Sequence, residues 1–351
     1  MSDIKRVAVI GSGTMGVGIA ISTICSGVDV VLIDLGQSSL DAALGRVQGY
    51  LSRQVEKQKM SDSEVRKSKA RLRTSTNLAD AAGSDLVIEA VFEDITVKKS
   101  VFETIEGAVS PTAILATNTS ALKVADIGAD LAHPKRLCGM HYFSPAEINP
   151  IVEVIRSETT SPATIAAVLP FLENCGKTAI PCKDQSGFAL NRFFCPYTNE
   201  AARCLDDGLG TPAQIDAAAK DIFGVPIGPF AVMNIVKPRI NLAAVRSLAS
   251  LGPFYAPAIS LQKCGDNDES WNISETGPRI DNASHEQITQ RLKAAVFYAV
   301  QEALDEGVAS AADIDLGAHK AFGFAKGPNE MMLEIGKIES QRLIANATLV
   351  L

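Results

Sequence analysis

The sequence predicts a doubly wound α/β domain followed by an all-α region made of two copies of one helical unit. Three observations carry this prediction. Short continuous apolar runs alternate with helical spacing as far as Cys182; a glycine-rich hexapeptide, GSGTMG at residues 11–16, stands between the first apolar run and the first helical stretch; and residues 191–230 recur without a gap at residues 290–329. Strands buried on both faces read as unbroken apolar runs, so the alternation is that of parallel strands joined by crossover helices.

The first strand is expected at residues 7–10, the first helix at 14–26 and the second strand at 28–33, a strand–helix–strand unit whose strands run parallel. Further strands are expected at 85–90, 113–117, 137–140, 151–155 and 178–182. From Gly187 onward strand-like runs nearly vanish and Ala/Leu-rich helical spacing takes over. The repeat in that region aligns Arg192 with Arg291, Leu205 with Leu304, Asp206 with Asp305, Gly208 with Gly307, Ile215-Asp216 with Ile314-Asp315, Phe223-Gly224 with Phe322-Gly323 and Gly228-Pro229 with Gly327-Pro328. Turn residues kept in step over that length indicate a duplicated unit. Residues 265–284, rich in Asp, Asn, Ser and Gly, read as a loop or linker between the copies. The expected division is 1–185 for the nucleotide domain, 186–284 for the first helical copy and 285–351 for the second.

Composition narrows the function. Hydrophobic residues make up 46% and charged residues 21%, which describes a packed globular chain and not a disordered one. A net charge of -7 argues against nucleic acid, whose phosphates need a basic surface. No apolar run reaches membrane-span length, and no segment near Met1 has the apolar core of a signal peptide. Seven scattered cysteines show neither disulfide nor zinc spacing, so no metal site is expected and a reducing cytoplasm is the expected compartment.

GSGTMG supplies Gly11 for a tight turn, Gly13 for close approach of a pyrophosphate to the backbone and Gly16 for helix-on-strand packing. The helix N-terminus behind it presents N–H groups and partial positive charge to the phosphates. Asp34 ends the second strand, where a carboxylate accepts the ribose hydroxyls and repels a 2′-phosphate. The pattern is that of a Rossmann-type NAD site. A glycine-rich turn that binds nothing, or a methyltransferase with an acidic second strand, is the competing reading.

Of the four histidines, only His141 follows a buried strand candidate, at the strand end where ligands of such sheets bind. Glu153 sits inside the apolar run IVEVI, where a carboxylate needs a partner to offset its desolvation. Oxidation of an alcohol by NAD needs a base for the hydroxyl proton, and imidazole backed by a carboxylate suits that task. Taken singly, a satisfied core histidine and a structural ion pair account for the same residues.

With these, IEAVFED (88–94), TNTS (117–120), GMHYFSP (139–145), VEV (152–154), SGFALNR (186–192) and GPF (228–230) form an ordered series. The chain resembles the 3-hydroxyacyl-CoA dehydrogenases over nearly its whole length. The resemblance implies an NAD-dependent oxidoreductase acting on an acyl-CoA ester in fatty-acid β-oxidation or related metabolism. It implies His141 as base, Glu153 as its partner, and Ser120 and Asn191 around the substrate hydroxyl and thioester carbonyl. It further implies cofactor contacts from Thr14, Met15, Ala90, Ser120 and Ser144 within those motifs, and places Glu93 and Lys98 beside the nicotinamide ribose and phosphates. Ser120 also reads as a helix N-cap, Asn191 as a cap or a bridge between helices, and Lys57 and Lys59 as a solvated helix face rather than contacts to CoA phosphates.

The chain departs from the family at three places. Ser186 stands for the usual proline, Asn234 and Lys237 stand for the usual Asp and Gly, and residues 265–284 replace a basic glycine-rich stretch. The duplicated helical copy resembles the arrangement in multifunctional β-oxidation enzymes, which implies that a dimer face is satisfied within one chain, leaving a monomer or a dimer through another face. A dehydrogenase of a hydroxy acid or sugar acid without CoA, and a nucleotide-binding regulatory protein, are the alternative functions.

Overall fold

In the computed structural model, which describes residues 4–274 and 280–347, the chain parts into two units, Met1–Asp184 and Gln185–Leu351. The first unit runs β1 Arg6–Ile10, α1 Thr14–Cys25, β2 Asp29–Ile33, α2 Gln37–Glu56, α3 Asp62–Ala70, β3 Leu72–Ser75, β4 Leu86–Glu89, α4 Ile95–Ala108, β5 Ile114–Thr117, α5 Val124–Ile127, β6 Leu137–Tyr142, β7 Ile151–Arg156, α6 Pro162–Asn174 and β8 Thr178–Lys183. The sheet order is β3-β2-β1-β4-β5-β6-β7-β8. Every pairing is parallel except β6 with β7.

The apolar runs are buried as their composition requires: Val7 to Ile10, Leu86 to Ile88 and Leu115 to Ala116 are at most 3% exposed. Each Val, Leu or Ile among them contributes about 2 kcal/mol of burial, and a parallel sheet needs both faces covered to collect it. Strand ends differ from the expected ones by a residue or so. The exception of consequence is β6, which continues through His141 to Tyr142 because it pairs with β7 along that length. β3 escapes the sequence reading: LRTS is short, polar and half-exposed at the sheet edge, with no apolar run to betray it.

The second unit is helical: α7 Asn191–Asp206, α8 Pro212–Phe223, α9 Pro229–Val236, α10 Pro238–Leu248, α11 Ile259–Asp266, α12 Asn282–Asp305, α13 Ala311–Phe322, α14 Pro328–Ile335 and α15 Lys337–Asn346. The repeat is visible in its joints. Gly224 and Gly323 close α8 and α13 at φ +63° and +75°. Asp216 accepts from Phe230 N–H and Ala231 N–H at the start of α9; Asp315 accepts from Asn329 N–H and Glu330 N–H at the start of α14. A Cβ on Gly228 or Gly327 would strike these same carboxylate side chains at 2.4 and 2.3 Å, which explains the glycine in both copies.

The expected boundary at 284/285 falls inside α12. Of the expected linker, residues 275–279 lie outside the described residues, and the part before them is anchored. Trp271 packs on Phe230 with ring centroids 4.8 Å apart, and Asn234 both donates to its carbonyl (2.9 Å) and accepts from its N–H (2.8 Å). Asn234, one of the departures from the family, thus fastens the segment that also departs from it.

Candidate active site

The strand order reverses between β1 and β4, and ligands of open α/β sheets bind beyond the strand ends at such a switch point. There Gly11 takes φ +102°, and a Cβ on it would lie 2.6 Å from the Ala90 carbonyl oxygen. Gly16 has no room either, its Cβ falling 1.9 Å from the Gly11 oxygen, whereas a Cβ on Gly13 would meet nothing within 4 Å. Gly13 is the N-cap of α1, without a side-chain cap and without an acid in the first turn. Open space before uncapped N–H groups is what a pyrophosphate requires, so the loop fits a dinucleotide. Thr14 begins the helix, and Met15 and Ala90 pack at the edge of the sheet core.

Asp34 follows β2. Its Oδ2 accepts from Ser12 N–H (2.8 Å) and Ser12 Oγ (2.7 Å), and its Oδ1 accepts from Gly36 N–H (3.1 Å). Partial burial raises its pKa, but the hydrogen bonds from Ser12, Gly36 and Leu35 outweigh burial and hold the carboxyl below the ordinary range. An ionised carboxylate here suits ribose hydroxyls and opposes a 2′-phosphate.

Beyond β4 and β5 lies a buried cluster. Lys98 is 1% exposed and its ammonium binds Glu89 at 2.7 Å and Glu93 at 3.2 Å. The one ammonium is thus shared between two carboxylates. Glu93 Oε1 accepts from Thr119 Oγ1 (2.6 Å), Ser120 N–H (2.8 Å), Ala121 N–H (2.9 Å) and Ser120 Oγ (3.3 Å). Burial raises the Glu93 pKa, and Lys98 with these donors more than reverses it. Ser120 is no helix cap: α5 begins only at Val124, and its first N–H groups donate to Asp184.

His141 and Glu153 are cross-strand partners in the antiparallel pair β6–β7. Such partners sit about 5 Å apart at Cβ, close enough for the side chains to meet. His141 Nδ1 lies 2.7 Å from Glu153 Oε2, with Glu153 fully buried and the imidazole 8% exposed. Phe143 lies against the imidazole, ring centroids 4.4 Å apart. Tyr142 N–H donates to Asn118 Oδ1, tying β6 to the end of β5. Ser144 precedes Pro145 through a cis peptide, and Lys177 donates to the carbonyls of Ala146 (2.6 Å) and Asn149 (2.9 Å), holding the turn between the two strands.

Asn191 opens α7 in the second unit; Leu190 holds the N-cap position, so Asn191 is not that cap. Lys57 and Lys59 are exposed at the end of α2. Two residues of the first unit escape the sequence reading. Glu89 ends the apolar run of β4 just as Glu153 interrupts that of β7, and the same signal, a carboxylate among apolar neighbours, marks both. Asn118 carries no signal of its own.

The sequence model of the 3-hydroxyacyl-CoA dehydrogenase NAD-binding domain matches residues 6–185, and that of the family's C-terminal domain matches residues 187–270 and 288–344. The chain belongs to the 3-hydroxyacyl-CoA dehydrogenase family. It is an NAD-dependent oxidoreductase. A probable 3-hydroxyacyl-CoA dehydrogenase of Caenorhabditis elegans is 38% identical over 241 residues, 67% of this chain and 81% of that one. A probable 3-hydroxybutyryl-CoA dehydrogenase of Bacillus subtilis is 36% identical over 263 residues, covering 74% and 92%. Among solved structures, an (S)-3-hydroxybutyryl-CoA dehydrogenase of Ralstonia eutropha superposes with a TM-score of 0.74 at 32% identity, covering 79% of this chain and 99% of that one. A 3-hydroxybutyryl-CoA dehydrogenase of Escherichia coli shares the fold along 98% of this chain and 94% of its own, with a TM-score of 0.90 at 24% identity.

Proposed function

We propose that this dehydrogenase oxidises an L-3-hydroxyacyl-CoA to the 3-oxoacyl-CoA, reversibly, with His141 as the base and Glu153 behind it. The observation that carries the proposal is the 2.7 Å contact between His141 Nδ1 and the fully buried Glu153. With Nδ1–H donated to the carboxylate, the tautomer is set and Nε2 is the nitrogen that takes the hydroxyl proton. The imidazolium that results is stabilised by the carboxylate without the proton passing on to it. NAD, when bound, supplies the hydride acceptor. Ser120, oriented by Glu93, and Asn191 are assigned to hydrogen-bond the reacting oxygens; neutral donors stabilise charge that develops there without fixing the wrong protonation state.

Gly11, Gly13, Thr14, Met15 and Gly16 would hold the pyrophosphate, Asp34 the adenosine ribose, and Ala90, Glu93, Ser120 and Ser144 the nicotinamide half. Lys98 would act through Glu93. An acyl-CoA substrate, β-oxidation or related acyl-CoA metabolism, and a cytoplasmic setting complete the reading; seven free thiols suit a reducing compartment. Among the described residues no helix is long and apolar enough to cross a membrane and no acid, His or Cys group forms a metal site.

The test is a panel assayed by NADH turnover: acetoacetyl-CoA, longer 3-oxoacyl-CoA esters, and the free 3-oxo and sugar acids. Turnover of the CoA esters far above the free acids is expected. The reverse preference would replace this proposal with a hydroxy-acid dehydrogenase on the same fold.

A further inference from the structure

The charge balance of the cluster at the ends of β4 and β5 is uneven. Glu89 is wholly buried; its Oε1 accepts from Lys98 Nζ and Val91 N–H, both at 2.7 Å, and its Oε2 accepts from Thr117 Oγ1 at 2.7 Å. One ammonium therefore serves two carboxylates, the nearer being Glu89 at 2.7 Å and the farther Glu93 at 3.2 Å. A single carboxylate would be enough to neutralise Lys98. The second adds desolvation and leaves one unit of negative charge, which a purely structural ion pair has no use for. Because Glu89 and Lys98 are both enclosed while the Glu93 side chain is 36% exposed, that excess charge emerges at Glu93, beside the Ser120 turn.

We infer that Glu89 is a positioning residue that draws Lys98 away from Glu93, so that an uncancelled negative charge faces the nicotinamide end of the cofactor site and favours the oxidised over the reduced dinucleotide. The oxidised nicotinamide carries a positive charge and the reduced one does not, so a fixed charge nearby changes one affinity and spares the other. The inference rests on the reading that the nicotinamide half lies beyond the ends of β4 and β5, as the switch-point rule places it.

The experiment measures dissociation constants for NADH, by its fluorescence, and for NAD, by calorimetry, in the wild type, Glu89→Gln and Glu89→Asp. Glu89→Gln keeps the side-chain shape and leaves Lys98 one carboxylate, Glu93, so no charge is buried unpaired. It is expected to raise the ratio Kd(NAD)/Kd(NADH) about tenfold, the order of magnitude for one unit charge at roughly 10 Å in a partly screened site. Glu89→Asp disturbs the packing but keeps the charge, so both affinities shift together and the ratio holds. Equal weakening of both ligands in Glu89→Gln, or an unchanged ratio, overturns the inference and makes Glu89 structural only. A ratio that moves in Glu89→Asp overturns it as well, even if Glu89→Gln does not fold. A wild type that binds neither dinucleotide would instead overturn the cofactor reading beneath it.

Discussion

Arg192 of α7 donates to Glu306 at 2.5 Å, and their counterparts in the repeat, Arg291 of α12 and Asp207, form the reciprocal ion pair. The same reciprocity appears at the helix ends, where a Cβ on Gly224 would meet Ala325 and one on Gly323 would meet Pro226, again repeat counterparts. Ala325 N–H donates to the Phe223 carbonyl; the mirror bond is barred because Pro226 has no N–H. Residue i meeting j while j′ meets i′ is the signature of a two-fold homodimer interface, here written within one chain.

We therefore expect the α7–α12 face to need no second chain. Thermal midpoints should not depend on protein concentration, as they do for an obligate dimer. A midpoint that falls on dilution, with light scattering reporting a dimer closed through α7, would count against internal replacement. Glu306→Ala should lower stability by about 1 kcal/mol, less than a fully buried pair because Glu306 is two-fifths exposed.

Lys237 joins α9 to α10 at φ +86°, where its repeat counterpart Gly336 takes φ +84°. An exposed lysine gains nothing from that conformation, and a non-glycine residue held there costs on the order of 1 kcal/mol or more. Lys237→Gly should therefore raise stability by about 0.5–1 kcal/mol in chemical denaturation, despite the greater freedom glycine gives the unfolded chain. A destabilised variant would show that the lysine makes a compensating contact.

On the proposed reading Asp34 sets the choice of NAD over NADP. Asp34→Ala should weaken NAD binding and narrow the preference over NADP; an unchanged preference would remove Asp34 from the ribose site. Asp34 and Glu93 both titrate below the ordinary carboxylate range, so the folded state holds their protons more weakly than the unfolded chain does. Their contribution is complete above the ordinary pKa of about 4 and is lost as pH falls through the lower folded values. NAD affinity is thus expected to be level from neutral pH down to about pH 5 and to fail only in stronger acid. A loss centred near pH 6 would show that these two carboxylates do not set the pH dependence of binding.

Between Gln37 and Ala70, spanning α2 and α3, the seven cations Arg46, Arg53, Lys57, Lys59, Arg66, Lys67 and Lys69 outnumber the four acids Asp41, Glu56, Asp62 and Glu64, on a chain of net charge -7. A polyanionic CoA ester approaching this face should be steered by it. The kcat/KM for acetoacetyl-CoA is expected to fall severalfold between low salt and about 0.5 M, while a thioester truncated at the pantetheine should hardly respond. Equal salt responses would show that this charge does not steer the substrate.

Much of this molecule was legible from residue chemistry. The apolar runs showed the core strands, Asp34 showed the acid after β2, and Glu153 betrayed itself as a carboxylate where none is stable alone. Other features were hidden because their signal is tertiary. β3 is polar and exists through pairing with β2; the family motif singles out Lys98 but not the Glu89 that holds it; Trp271 turns a polar segment into an anchored one through Phe230 and Asn234. Ser120 was ambiguous for a different reason: a serine before a helix caps it only if the helix starts there, and here the start is three residues further on, with Asp184 supplying the cap.

The most direct measurement is the turnover number of His141→Ala with acetoacetyl-CoA, taken alongside its NADH dissociation constant. The expected kcat is lower by about 10²- to 10⁴-fold, with NADH bound as in the wild type. A kcat equal to that of the wild type would contradict the assignment of His141 as the base.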